Sequence, residues 1–187
     1  MRKITMIVAF MAVALLAGCG QVETGEAGFF IRWGEVMSRA PLSDGLHFYE
    51  PFGTDLITYN IKNQSVKVKT PVFTKDVQSM NLELTVTYNL SKEKVIDLHT
   101  KTGPRYSEIL IVPSVLSAAK DALGKMEAGD IVSSREAATA AIFDAVKSKL
   151  EPHGINIELV NITNIDYSDA FEKAVEEKQV ALQQSQK

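Results

Sequence analysis

Leu82, Leu84, Val86 and Tyr88 alternate with Asn81, Glu83, Thr85 and Thr87. That period of two gives a strand one buried and one wet face. Shorter stretches of the same kind precede it: Phe29 to Ile31, Leu46 to Tyr49, Ile57 to Ile61, and Ser65 to Lys69, where Val66 and Val68 alternate with lysines. Turn signals separate them at Trp33-Gly34, Ser43-Asp44-Gly45 and Pro51-Phe52-Gly53, since Asp and Gly tolerate the positive φ of tight turns. After Tyr88 the period lengthens to about 3.6. Lys92 to Leu98 predicts a short helix, and Tyr106, Ile109, Val112, Leu116, Ala119 and Leu123 predict a longer one that Pro113 should kink or interrupt. Ser133 and Glu136 match a capping box opening a helix that ends near Leu150 at Pro152-His153-Gly154. Its stripe of Ala138, Ala141, Ile142 and Ala145 is small and calls for a close neighbour. Ile155, Ile157 and Leu159 then alternate, and the phase slips at Val160 and Ile162, which predicts a bulge. From Asp169 to Lys187 there is no Gly or Pro, and a terminal helix is expected. Strands, then helices, then one strand and a helix predict an α+β domain with helices on one face of its sheet.

The amino terminus follows another logic. Arg2 and Lys3 precede an uncharged apolar run from Ile4 to Ala17, closed by Gly18, Cys19 and Gly20. As a helix this run reaches about 21 Å, short of the ~30 Å hydrocarbon core, so a secretory signal is favoured over a permanent span. Leu16-Ala17-Gly18-Cys19 resembles the bacterial lipobox, whose cysteine receives a diacylglycerol and becomes the acylated amino terminus after cleavage. Residues 1–18 are then a lipoprotein signal peptide, and 19–24 a lipidated linker. An ordinary signal peptide or an uncleaved anchor helix are the other readings. Gly20 stands where an Asp would indicate inner-membrane retention, so the expectation leans to the outer membrane or periplasmic face of a bacterial envelope.

Composition narrows the picture. The 187 residues carry 20 Lys and Arg against 23 Asp and Glu, and removal of Arg2 and Lys3 leaves 18 against 23. That balance argues against nucleic-acid binding by phosphate neutralisation. A single cysteine excludes an internal disulfide framework and a CxxC metal or redox pair.

At the level of motifs, the chain resembles the SPFH or band 7 family, which includes stomatin, prohibitin, flotillin and the bacterial HflK and HflC proteins. Gly25-Glu26-Ala27-Gly28 with Trp33-Gly34-Glu35-Val36 resembles the family's opening strand pair, and Asp44-Gly45-Leu46-His47-Phe48-Tyr49 with Pro51-Phe52 its "PGLHFy.PF" signature, Asp44 replacing the usual proline. Thr74-Lys75-Asp76, Ser134-Arg135-Glu136 and His153-Gly154-Ile155 match the later pieces in order. The resemblance implies an SPFH domain over 25–167, with a mainly antiparallel sheet, and the start of a coiled-coil-type helix over 168–187. It implies a non-enzymatic membrane scaffold that self-assembles laterally, in rings, and organises or restrains membrane proteins. The alternative is a small complex that modulates a membrane-bound AAA-type protease. The lipobox departs from the family's usual membrane-spanning amino terminus.

The candidate residues follow from these readings. Cys19 is the lipidation site. Phe48, Tyr49 and Phe52 form an aromatic cluster; packing in the core is its default, and contact with the bilayer surface is the alternative that the resemblance raises. Phe171, Val175 and Leu182 are an oligomerisation stripe in a tail too short for an independent coiled coil. Lys62, Lys67, Lys69 and Lys75 read as a solvated or edge-protecting face, with anionic headgroups as the other reading. His47, His99 and His153 have no ligand or triad spacing, Asp166 and Asp169 read as helix caps, and no nucleophile motif or P-loop is present. No catalytic residue, metal or cofactor is expected.

Overall fold

A computed structural model describes residues 18–167 and Lys173. Phe171, Val175 and Leu182, Asp169 and the residues up to Ala17, where a signal segment is expected, lie outside the described residues. The chain divides into two compact units: residues up to Lys62 with Leu90–Gly103, and Asn63–Asn89 with the residues from Pro104 onward.

In the first unit, β1 (Gly18–Val22) pairs antiparallel with β4 (Gly45–Tyr49), and β2 (Glu26–Arg32) lies between β3 (Glu35–Val36) and β5 (Thr54–Asn60). A 3-10 turn, Lys92–Lys94, leads into helix α1 (Val95–Lys101). Val22, Ala27, Phe29, Tyr59, Val95 and Leu98 are buried. Each large apolar side chain buried this way contributes about 1.5–3 kcal/mol. Residues 19–24, expected as a linker, are largely strand β1. Its apolar pattern is hidden because two of its inward positions are glycines. A Cβ at Gly20 would lie 2.6 Å from Leu56 Cδ2, so the close approach of neighbouring side chains replaces a side chain there.

The second unit is a three-stranded sheet in the order β6 (Gln64–Phe73), β7 (Ser79–Leu90), β8 (Ile155–Tyr167). β6 and β7 are antiparallel, with Val68 opposite Leu84. The hydroxyls of Thr85 and Thr163 meet at 3.1 Å, while Asn89 bonds Asn156 and Glu158. Later β7 residues thus meet earlier β8 residues, so that pair is antiparallel too. A π-helical turn, Ser107–Ile111, opens into α2 (Val112–Leu123), followed by α3 (Ala128–Ser133) and α4 (Arg135–Leu150). One sheet face, including Val72, Leu82, Leu84, Val86, Ile155 and Ile162, is buried, as are Ile111, Val115, Ala119 and Leu123 of the α2 region and Ala138, Ile142, Val146 and Leu150 of α4. This is the α+β arrangement with helices on one face.

Pro113 acts as its position requires. It lacks an N–H, and the chain before it widens into the π turn so that α2 proper starts with proline in its first turn. The phase slip in β8 is also present: Ile155 and Ile157 are buried, Glu158 and Leu159 are both exposed, and Val160 and Ile162 are buried again. The capping box is not formed. Ser133 is the last residue of α3, a helix too short for periodicity to show, and its hydroxyl donates to the Asp130 carbonyl at 3.3 Å. Ser134 occupies the N-cap of α4 without a side-chain cap.

Candidate membrane-facing surface and assembly edge

Antiparallel pairing puts opposed side chains on one face of a ribbon. β1 and β4 pair Cys19 with Phe48 and Gln21 with Leu46. Cys19 is exposed, and Phe48 and Leu46 are 71% and 55% exposed on the same face. The intervening residues turn inward. Tyr49 packs on Phe30 at a centroid distance of 5.1 Å, and His47 lies edge-on to the same ring at 6.4 Å. Of the aromatic cluster read from the sequence, Phe48 and Phe52 are therefore exposed, while Tyr49 is a packing residue.

Phe52 (72% exposed) is joined by Trp33 (71%), a turn and motif residue outside the aromatic cluster expected from the sequence. The two rings meet edge to face at 5.5 Å. Trp33 has φ 51 at the β2–β3 turn, and its N–H donates to the Gly53 carbonyl at 2.9 Å. Gly53 has φ 73, and a Cβ there would stand 2.4 Å from the indole. The glycine thus lets the indole lie flat on the main chain. A tryptophan at a turn tip beside Gly34 was the available signal for this residue.

The polar candidates are accounted for by local structure. The Tyr59 hydroxyl and His99 Nδ1 are hydrogen-bonded at 2.7 Å, and Phe29 lies edge-on to the imidazole at 5.1 Å. Burial lowers the His99 pKa and raises that of Tyr59, which favours a protonated phenol beside a neutral imidazole. His47 Nε2 meets the Ser43 carbonyl at 2.7 Å, and His153 lies in the turn after α4. Asp166 accepts from Asn164 at 2.6 Å within β8; the helix it was expected to cap lies outside the described residues. Lys69 pairs with Glu83 at 3.4 Å and Lys75 with Glu127 at 3.3 Å, both on the surface; such pairs contribute at most about 1 kcal/mol. Lys62 follows β5 and its methylenes cover Gly25. Among the described residues no group of His, Cys, Asp or Glu could hold a metal, and no helix is long and apolar enough to cross a membrane.

In the second unit, α4 and β8 enclose an open groove of about 660 Å³. Ala140 and Phe143 of the helix and Leu159 and Val160 of the strand supply its apolar lining, with Arg135, Glu136 and Glu158 as its charges.

The SPFH domain / Band 7 family model matches residues 20–187. The chain is similar to Prohibitin-2 of Mus musculus, at 28% identity over 94% of this chain and 63% of that protein. It is also similar to Prohibitin-2 of Xenopus tropicalis, at 29% over 94% and 62%, and to Prohibitin-1 of Saccharomyces cerevisiae, at 24% over 99% and 64%. This chain belongs to the SPFH/Band 7 family. It spans less than two thirds of the length of these curated relatives.

Proposed function

We propose that this chain is a lipid-anchored membrane scaffold that associates laterally with copies of itself and organises or restrains membrane proteins in a bacterial envelope, with the outer membrane or periplasmic face favoured. The observation that carries this reading is the register of Cys19 opposite Phe48. Acylation at Cys19 would attach the lipid to the ribbon face on which Phe48 and Leu46 are already exposed. Acyl chains and aromatic side chains would then enter the same leaflet, the former as the anchor at ~0.8 kcal/mol per buried CH2, the latter at the interfacial level that aromatics favour. Weak lateral contacts gain from sharing one anchored plane, because linkage converts each further contact into an effectively intramolecular one. Function on this reading is assembly, with no catalytic step.

Cys19→Ala tests the anchor. The expected result is loss of processing and release of most of the protein from the membrane fraction; unchanged processing and retention would refute lipidation. Particle size in mild detergent tests the scaffold. Assemblies of many copies support it, whereas particles no larger than a dimer would favour a specific modulator of one membrane protease.

A further inference from the structure

Among the described residues, two that are not glycine hold a positive φ, Trp33 and Val77. The indole of Trp33 lies on Gly53, which accounts for its backbone. Val77 has no such support: at φ 60 it is a β-branched residue in the left-handed region, and it is 77% exposed. A branched side chain crowds the main chain there, and such strain persists only where the surroundings enforce it, as they do at recognition sites. They enforce it here. The Val77 N–H donates to the Thr74 carbonyl at 2.9 Å, the Thr74 N–H donates to the Gln78 carbonyl at 3.0 Å, and Asp76 is tied to Ala128 of α3. The β6–β7 turn thus presents a valine to solvent on a rigid tip, with the exposed Phe73 at its base and the exposed Lys75 beside it.

The groove between α4 and β8 is the concave counterpart. It owes its apolar wall to the slip in β8: Glu158 and Leu159 both turn outward, and Leu159 joins Ala140, Phe143 and Val160 in the lining. A slip that re-aims a side chain is a common device beside binding sites. Glu136 and Glu158 are the carboxylates of the groove, and its lining cation, Arg135, donates to the Ile162 carbonyl. Lys75 of the tip meets Glu127 at 3.3 Å in an exposed pair, weak enough to exchange one carboxylate for another. We infer that the β6–β7 tip of one copy docks in the α4–β8 groove of the next, with Val77 against Phe143 and Leu159 and with Lys75 towards Glu136 and Glu158. This rests on the self-associating reading above and specifies the surfaces it uses. Tip and groove are different patches of one chain, so the contact is heterologous. A joined pair still offers an unused tip at one end and an unused groove at the other, and the contact extends to many copies in one anchored plane.

Thiol trapping in the full chain tests this. Two differently tagged versions, Val77→Cys and Leu159→Cys, are co-expressed, extracted in mild detergent and oxidised. The expected product is a disulfide-linked dimer carrying both tags, several-fold above the background that either variant gives with the parent chain, whose one cysteine is Cys19. Val77→Cys with Ile109→Cys, another exposed apolar position, should stay at that background. A chain carrying both Val77→Cys and Leu159→Cys should give a ladder of trimers and larger species; a product that stops at the dimer would overturn the head-to-tail contact. Glu136→Lys should lower the trapped yield several-fold, and adding Lys75→Glu should restore it. Val77→Gly removes the side chain at a φ that glycine adopts freely, so the folded chain should keep its thermal midpoint and lose most of its large particles. Background trapping in particles that still hold many copies would overturn the docking and leave self-association standing. A monomeric parent chain would overturn both.

Discussion

The carboxylate of Asp76 accepts the main-chain N–H of Ala128 at 3.1 Å, across 52 residues of sequence. Ala128 is the first residue of α3, whose own N-cap, Glu127, supplies no side-chain cap. Asp76 therefore caps the helix from the β6–β7 turn. Thr74 sets it in place: its hydroxyl donates to Asp76 Oδ1 at 2.6 Å and accepts from the Gln78 N–H at 3.1 Å. The Thr74-Lys75-Asp76 string that resembles a family motif is thus a clamp between a hairpin turn and a helix start.

Replacing this carboxylate should destabilise the second unit in a pH-dependent way. The Thr74 hydroxyl first, and then the Ala128 N–H, hold the Asp76 pKa below its ordinary value. A carboxylate depressed in the folded state stabilises above its unfolded pKa of about 3.9 and loses that contribution as pH falls through the folded value. Asp76→Ala should melt below the parent at pH 7, with the gap closing as the pH drops beneath about 4. Calorimetry across that range checks both statements.

His99 should give the first unit an acid sensitivity. Its neutral ring is favoured by burial and is hydrogen-bonded to the Tyr59 hydroxyl. The unfolded histidine takes up a proton near pH 6.5, while the folded one resists until lower pH. The stabilisation is present above about 6.5 and is lost as pH falls through the depressed folded value. His99→Phe, which preserves an aromatic ring beside Phe29, should flatten the decline in thermal midpoint between about pH 7 and 5. An unchanged slope would assign the sensitivity to other groups.

The neighbours Phe48 and Tyr49 should respond in opposite ways. Phe48→Ser removes an exposed ring and should change stability by less than about 0.5 kcal/mol. Tyr49→Ser removes a ring packed on Phe30 and should cost about 1–2 kcal/mol in denaturant titration. In a Cys19→Ala background, residual co-sedimentation with lipid vesicles should fall for Phe48→Ser and hold for a folded packing variant.

The helix layer has little spare room. Ala119 of α2 is fully buried, on the helix that packs against α4. Ala119→Leu adds volume to this contact and should destabilise by about 1–3 kcal/mol, with the denaturant slope unchanged.

The long elements were legible because each carries many repeats of one period. β7 alternates over its whole length, and the slip in β8 between Ile157 and Val160 is visible as two adjacent outward residues. Short elements were not legible. β1 has glycine where an apolar residue would mark its buried face, and α3 is a single helical stretch of six residues. Ser133 with Glu136 satisfied a capping pattern by spacing alone, yet Ser133 ends α3 and its hydroxyl turns back to the Asp130 carbonyl.

The sequence by itself determined the α+β class, the strand-to-helix order, the family resemblance and the position of Cys19, because these rest on local periodicity and on short strings. Tertiary structure alone decided which way the side chains of the short strands and turns faced. Pairing of β1 with β4 sent Phe48 outward and Tyr49 onto Phe30, the β6–β7 turn delivered Asp76 to Ala128, and sheet order set β8 beside β7. Those outcomes depend on contacts between residues tens of positions apart, and no local pattern encodes which distant residue will arrive.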